Sequence, residues 1–203
     1  MSGEPLELVV ASANGDKVAE IVEIIGDELG GAVRLVARPS HVPDVEESEP
    51  TLEGNARVKA RAVSAATGLG ALADDSGLEV DALGGAPGVR SARYAGDGAS
   101  YADNVAMLLG ALTGVLDRRA RFRTVAVARL GEGRELVCEG TVAGVIAPAP
   151  RGTSGFGYDP VFVPDGGDGR TFGEMEAAEK HAISARGRAF RALATLVKGE
   201  LGR

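Results

Sequence analysis

Tryptophan is absent from the 203 residues, cysteine occurs once, at Cys138, and the aromatic side chains are five phenylalanines and three tyrosines. One thiol excludes an internal disulfide framework, and a chain of this length buries enough apolar surface to fold without one. Cys138 ends the apolar stretch that starts at Leu136, so it reads as a small buried hydrophobe and not as a nucleophile. So few aromatic side chains make no stacking platform interleaved with basic residues of the kind that holds a nucleic-acid strand. Positive charge is also scarce: 22 basic against 29 acidic residues leave a net charge of −7, with no face-long Lys/Arg run. A nucleic-acid polymer is therefore not an expected partner. The longest uncharged run, residues 104–116, is 13 residues long, short of the roughly 18 that suggest a membrane span. Glu4 and Glu7 stand where a secretory signal would be basic. Together these absences predict a soluble protein of the reducing cytoplasm, with no membrane partner.

Glycine is what the chain has in plenty. Its 30 residues are scattered, often beside Asp, Ser or Pro, and read as tight turns, not as one linker. Residues 6–11 predict a strand and residues 12–16 a turn, after which Val18, Ile21, Val22 and Ile25 recur at helical spacing. A second strand is expected at residues 33–37. Residues 38–50, with three prolines and four acids, read as a long loop. Thr51 starts an Ala-rich helix that Gly68 stops, and strand segments at residues 71–73 and 78–83 flank an Asp-Asp-Ser-Gly interruption. Residues 101–112 carry the 3.6-residue period. The β-rich runs 120–130 and 134–147, joined by Gly131-Glu132-Gly133, form a hairpin. Residues 148–160 are a Gly/Pro-punctuated loop, and Thr171 with Glu174 has the spacing of a capping box. Ser184 caps a last helix with Ala189, Leu193, Leu196, Val197 and Leu201 on one face. Without a repeat or a composition break, the expectation is one α/β domain over residues 1–203. Its central sheet is mixed and flanked by helices.

Several strings carry possible chemistry. Gly68-Leu69-Gly70-Ala71-Leu72-Ala73 satisfies a dinucleotide pattern, but it follows a helix and precedes a strand, the reverse of the order that places a pyrophosphate on a helix N-terminus. Ser12-Ala13-Asn14-Gly15-Asp16-Lys17 has the right order. It reads either as an ordinary cap with a solvated lysine or as a phosphate site of backbone N–H groups and one full charge. Asp74 and Asp75 end an apolar run; adjacent carboxylates repel, so the pair points either to turn formation or to a shared cation such as Mg²⁺. Glu46 and Glu47 belong either to a solvated acidic loop or to the same metal site. The turn at residues 84–88 is either plain surface or a means of bringing Arg90 and Arg93 near the Asp pair. Residues 155–160 form either a Pro-stiffened loop or a backbone approach to a flat ligand on which Phe156 or Tyr158 stacks. Lys180, His181 and Arg186 gather before the last helix, where they either face water or help Lys17 neutralise a polyanion.

Six strings occur in register: Ser12-x-Asn14-x-x-Lys17-x-x-Glu20, Thr51-x-x-x-Asn55-Ala56-x-x-Lys59-Ala60, Ala73-Asp74-Asp75-Ser76-Gly77-Leu78-x-Val80, Gly85-x-Pro87-Gly88-Val89-x-Ser91-Ala92-Arg93, Gly155-Phe156-Gly157-Tyr158-Asp159-Pro160 and Glu179-Lys180-x-Ala182-Ile183-Ser184-x-Arg186. Their order over residues 12–186 resembles that of the non-canonical purine nucleoside triphosphate pyrophosphatases, the inosine/xanthosine triphosphate pyrophosphatase family. The resemblance implies an enzyme, a hydrolase of acid anhydrides that splits ITP, dITP or XTP between the α and β phosphates. The products are a nucleoside monophosphate and pyrophosphate, and the reaction cleanses the nucleotide pool. It further implies Mg²⁺ as cofactor and a homodimer with two lobes around a nucleotide-binding cleft. Asp75 falls on the base and metal ligand, Lys17 on a catalytic phosphate-binding lysine, and Glu47, next to Glu46, on the second metal ligand. Ser12, Asn14, Lys17, Ser76 and Lys180 are implied to hold phosphates, and Phe156, Gly157, Tyr158, Asp159 and Arg186 the base. The family's Ser-His-Arg reads Ser184-Ala185-Arg186 here, so an imidazole at the base is missing. Two other readings stand beside this one: a nucleotide pyrophosphatase with a different or broader base preference, and a catalytically silent nucleotide-binding regulator.

Overall fold

The computed structural model describes residues 4–202. The described chain runs β1 (Leu6–Val10), α1 (Gly15–Leu29), β2 (Val33–Ala37), α2 (Leu52–Thr67), β3 (Gly70–Val80), β4 (Pro87–Gly88), α3 (Tyr101–Ala111), β5 (Arg119–Arg129), β6 (Glu135–Ile146), β7 (Phe162–Pro164), α4 (Ala177–Ile183) and α5 (Ala185–Leu201), with short 3₁₀ turns between. The strands form one sheet in the order β2-β1-β3-β5-β6-β7, and β4 pairs with β3. β1 lies parallel to both β2 and β3, with Val9 opposite Val36 and Ala71, whereas β4 on β3 and β7 on β6 are antiparallel. This is the mixed α/β sheet that alternating strands and helices imply. The chain divides into two compact units, one holding the described residues up to Asp75, Thr124–Gly140 and those from Arg186, the other Ser76–Arg123 and Thr141–Ala185.

The first unit is built on the amphipathic faces of α1 and α5. Ile21, Ile24, Ile25 and Leu29 pack with Leu8, Val10 and Leu72 of the strands and with Ala189, Phe190, Leu193, Ala194 and Val197 of α5. Each buried Leu or Ile removes enough apolar surface to favour the fold by roughly 1.5–3 kcal/mol. Val22, Leu196 and Leu201, expected on these faces, are exposed. At about 100° per residue the buried stripe of α5 centres on Leu193, Val197 and Phe190, which leaves Leu196 at its edge. α2 begins where Thr51 accepts the Gly54 N–H at 3.0 Å and ends at Gly68 in the left-handed region. Its inward stripe is Leu52, Asn55, Ala56, Lys59, Ala60 and Val63. Two polar residues thus sit where periodicity alone demands apolar ones.

The second unit concentrates the aromatics. The Phe122 and Phe162 rings meet edge to face with centroids 4.7 Å apart, Phe172 lies 5.3 Å from Phe162, and Leu78, Val80, Leu108, Leu112 and Ile146 belong to the same cluster. β3 differs from expectation: Asp74, Asp75, Ser76 and Gly77 do not interrupt it but lie inside one 11-residue strand. The carboxylates find side-chain cations, described below, and so do not compete for the backbone as turn residues would. Gly77 permits the pairing of β4, because a Cβ there would stand 2.5 Å from the Gly88 carbonyl oxygen.

Candidate functional site

In the first unit, the turn after β1 is organised by its own side chains. Ser12 Oγ accepts the Asn14 N–H at 3.2 Å, and Asn14 Oδ1 caps α1 by accepting the N–H groups of Asp16 and Lys17 at 3.0 and 3.2 Å. Two amides at the helix start, those of Asp16 and Lys17, are therefore held by Asn14. What the turn presents is the half-buried Lys17, whose ammonium lies 3.5 Å from Asp74 Oδ2.

Consecutive residues of a strand point to opposite faces, and β3 uses this to separate its two aspartates. Asp74 Oδ2 accepts from Arg186 Nε at 3.3 Å and Nη2 at 3.2 Å, while Arg186 Nη1 donates to Glu20. Asp75 Oδ1 instead accepts from Lys59 Nζ at 3.2 Å, and its Oδ2 from Asn55 Nδ2 at 3.1 Å. Lys59 also donates to Glu47 Oε1 at 2.8 Å, and Asn55 Oδ1 accepts the Glu49 N–H at 3.0 Å. The direct contacts of the two carboxylates are with different side chains, Asp74 with Arg186 and Lys17 and Asp75 with Lys59. Burial holds the Asp75 carboxyl above the ordinary aspartate range; Lys59 and Lys17 pull against it, and Glu47 adds to the rise. For Lys59, burial favours the neutral amine, but Asp75, Asp74 and Glu47 outweigh it and raise its pKa. The ammonium is therefore retained at neutral pH.

Of the two loop acids, Glu46 is exposed and Glu47 turns in towards Lys59. No group of three or more His, Cys, Asp or Glu residues suited to a metal is present among the described residues. Glu47 and Asp75, however, converge on one ammonium. Two carboxylates are as many as Mg²⁺ usually takes from protein, since it keeps waters and completes its shell with phosphate oxygens.

In the second unit, Asp159 is the pin of the 155–160 loop. Its Oδ2 accepts the Phe156 N–H at 2.8 Å and the Lys180 ammonium at 2.6 Å. Gly155 has φ +71°, and a Cβ there would collide with the Asp159 carboxylate, so only glycine allows this closure. Lys180 Nζ also lies 4.6 Å from the centroid of the half-buried Phe156 ring, which Tyr101 approaches at 5.9 Å. Tyr158 is buried instead of offered for stacking: its hydroxyl donates to the Ser91 carbonyl at 2.9 Å, and burial pushes its pKa up. Gly157 and Ser76 are half-buried. Ala185 is packed in this unit's apolar cluster, and His181 is buried on α4. Arg186, which the resemblance points at a base, belongs to the first unit and is occupied by Glu20 and Asp74.

Sequence reasoning assigned no individual role to Glu20, Asn55, Lys59 and Asp74, the last being read only as one of the Asp74–Asp75 pair. A signal for the middle two was present: Asn55 and Lys59 are four residues apart on a helix whose other inward positions are Leu, Ala and Val. Buried polar groups demand partners, so a polar pair on an apolar stripe marks a site.

The Ham1 family model matches residues 8–196, and the chain belongs to that family. A dITP/XTP pyrophosphatase of Streptomyces coelicolor is 46% identical over 199 residues, which are 96% of this chain and 98% of that protein. Another of the same name from Mycobacterium tuberculosis is 48% identical over 186 residues, 90% of this chain and 91% of its own. Among solved structures, a HAM1 protein from Coxiella burnetii superposes with a TM-score of 0.85 at 42% identity, covering 96% of this chain and 99% of the other. The family resemblance carried by the six strings is borne out, as is the α/β fold.

Proposed function

We propose that this protein hydrolyses ITP, dITP and XTP between the α and β phosphates, with Mg²⁺, releasing nucleoside monophosphate and pyrophosphate. The observation that carries the reading is the buried Asp75 carboxylate, held by Asn55 and Lys59 beside Glu47. Water attack on a triphosphate needs a poorly solvated base; burial makes the Asp75 carboxyl one by raising its proton affinity, while Lys59 and Lys17 favour its ionised form. Glu47 and Asp75 would hold the Mg²⁺, which when bound neutralises phosphate charge. Asp75 accepts the proton as the water oxygen bonds to the α phosphorus, and the bond to the bridging oxygen breaks. Lys17 and Lys180 stabilise charge on the phosphates as it builds on the leaving pyrophosphate. Ser76 adds a hydroxyl to the phosphate contacts. Ser12 and Asn14 shape the turn that carries Lys17. Phe156, Gly157 and Asp159 supply a base-binding loop, which Tyr158 anchors through its hydrogen bond to Ser91. The same reading makes the protein a cytoplasmic homodimer.

Base selection rests on donors. The 6-oxo group of hypoxanthine or xanthine accepts a hydrogen bond where adenine's amino group donates one, and an unmatched buried donor costs about 1–3 kcal/mol. Ala185 offers none, and Arg186 is engaged by carboxylates. Preference for 6-oxo purines therefore falls to backbone N–H groups of the loop and is reduced. Pyrophosphate release from ITP, XTP, dITP, ATP and GTP, with Mg²⁺ and with excess EDTA, tests the whole reading. The expected result is pyrophosphate from the first three, a smaller yield from ATP and GTP, and none with EDTA. Orthophosphate as product, or no turnover of any substrate, overturns it; equal rates on all five identify a broader pyrophosphatase.

A further inference from the structure

We infer that Asp74 is a positioning residue that acts through Lys17, so that the two adjacent aspartates of β3 hold separate tasks. The inference rests on the proposed function, in which Lys17 meets substrate phosphates.

Lys17 is a long, flexible side chain, and an unrestrained ammonium on four methylenes samples many positions. Here it lies 3.5 Å from Asp74 Oδ2, half-buried. That carboxylate is itself fixed. Arg186 grips the same oxygen through Nε and Nη2, and Arg186 is held in turn by Glu20. Glu20 sits three residues after Lys17 on α1 and therefore on the same helix face. A closed circuit results: α1 supplies Lys17 and Glu20, β3 supplies Asp74, and α5 supplies Arg186. Two negative and two positive charges balance, which makes burial of all but Lys17 tolerable. Lys17 spends one contact on Asp74, and an ammonium has three N–H donors, so it remains able to bind phosphate from a defined position. Asp74 is not placed to accept the proton that the mechanism assigns to Asp75, whose direct partners are Lys59 and Asn55 on the other side of the strand.

A double-mutant cycle decides the matter, because it isolates coupling between two side chains from their separate effects. Asp74→Asn keeps the shape and removes the charge that holds Lys17. With ITP and Mg²⁺ we expect kcat to fall roughly 10- to 100-fold, the scale on which a misplaced group slows a reaction. In a Lys17→Ala background the same substitution lowers kcat less than about 3-fold, since the group it positions is gone. Losses that multiply in the double variant overturn the inference, as does wild-type kcat in Asp74→Asn. Each variant is compared at a native circular-dichroism spectrum; should Asp74→Asn not fold, Asp74→Glu runs the same cycle with the charge kept and displaced. Failure of the wild-type protein to turn over any triphosphate refutes the function and not this inference. The cycle is then read on calorimetric affinity for tripolyphosphate, where coupling of at least about 3-fold supports the inference and multiplicative effects overturn it.

Discussion

The two compact units stabilise themselves by different means. The first unit buries Glu20, Lys59, Asp74, Asp75 and Arg186 beside an aliphatic core, whereas the second packs Phe122, Phe162 and Phe172 against each other and buries far fewer charges, chiefly Asp159 and Lys180. Buried charges are poor stabilisers, because desolvation offsets most of the Coulombic gain. An interior with so many of them is explained by chemistry, not by stability. The aromatic cluster, in contrast, contributes mainly apolar area and ring packing. Substitution of the first unit's buried charges should therefore act mainly on activity, and substitution of the second unit's clustered rings mainly on stability.

The sharpest break expected is Asp75→Asn. Loss of a general base lowers turnover by about 10²- to 10⁴-fold. Stability should barely change. The Asp75 pKa is raised in the fold, chiefly by burial, so the stability this group contributes is present below the ordinary aspartate range and is lost as pH rises through the folded value. The amide keeps the shape of the carboxylate, and Lys59 keeps Glu47 as partner. Pyrophosphate release and a melting curve on the same sample test this; near-wild-type turnover in a folded variant removes Asp75 from the mechanism.

Phe162→Ala should show the opposite pattern. Removing a fully buried ring from the second unit's cluster is expected to destabilise by about 3–5 kcal/mol. The melting temperature falls well before turnover per folded molecule does. Urea denaturation gives the free energy, and a change below about 1 kcal/mol would mean the aromatic cluster is not what holds this unit.

The smallest effect belongs to the ion pairs at the rim of the first unit. Glu135 accepts from Arg61, Arg57 and Arg129. The Arg61 hydrogen bond is the largest influence lowering its pKa to about 2, with burial opposing. A depressed carboxylate pKa contributes stability above the unfolded value and loses it as pH falls towards the folded one. Solvent screening around the exposed Arg61 and the half-buried Arg57 and Arg129 limits the gain to about 1 kcal/mol. Glu135→Gln should thus melt slightly lower than wild type at pH 7, with the difference closing between pH 4.5 and about 2. An equal difference at pH 7 and at the bottom of that window would assign the effect to packing.

Much of the architecture was legible because its signals are local. The Thr51 cap and Gly68 stop of α2, the Thr171–Glu174 capping box and the hairpin at Gly131-Glu132-Gly133 all depend on residues within a few positions of each other, and all are present. Propensity failed at β3, where residues that ordinarily make turns lie in a continuous strand. Local preference was outweighed there by strand pairing and by cationic partners supplied from α1, α2 and α5. The exposed Leu196 shows the same limit, since periodicity locates a stripe but not its edges.

The sequence by itself determined the order of strands and helices, the turns, and the six strings that mark the family, since each is written within a few consecutive residues. Only the tertiary structure decided which cation each acid meets. Arg186 reaches Asp74 across 112 positions and Glu20 across 166, and no periodicity encodes contacts at such separations. It likewise sent Glu47 and not Glu46 to Lys59, tied the buried Tyr158 hydroxyl to the Ser91 carbonyl, and parted Asp74 from Asp75. Charges in an interior must be matched in space, and the matching partner is whichever element the sheet and the helices bring alongside.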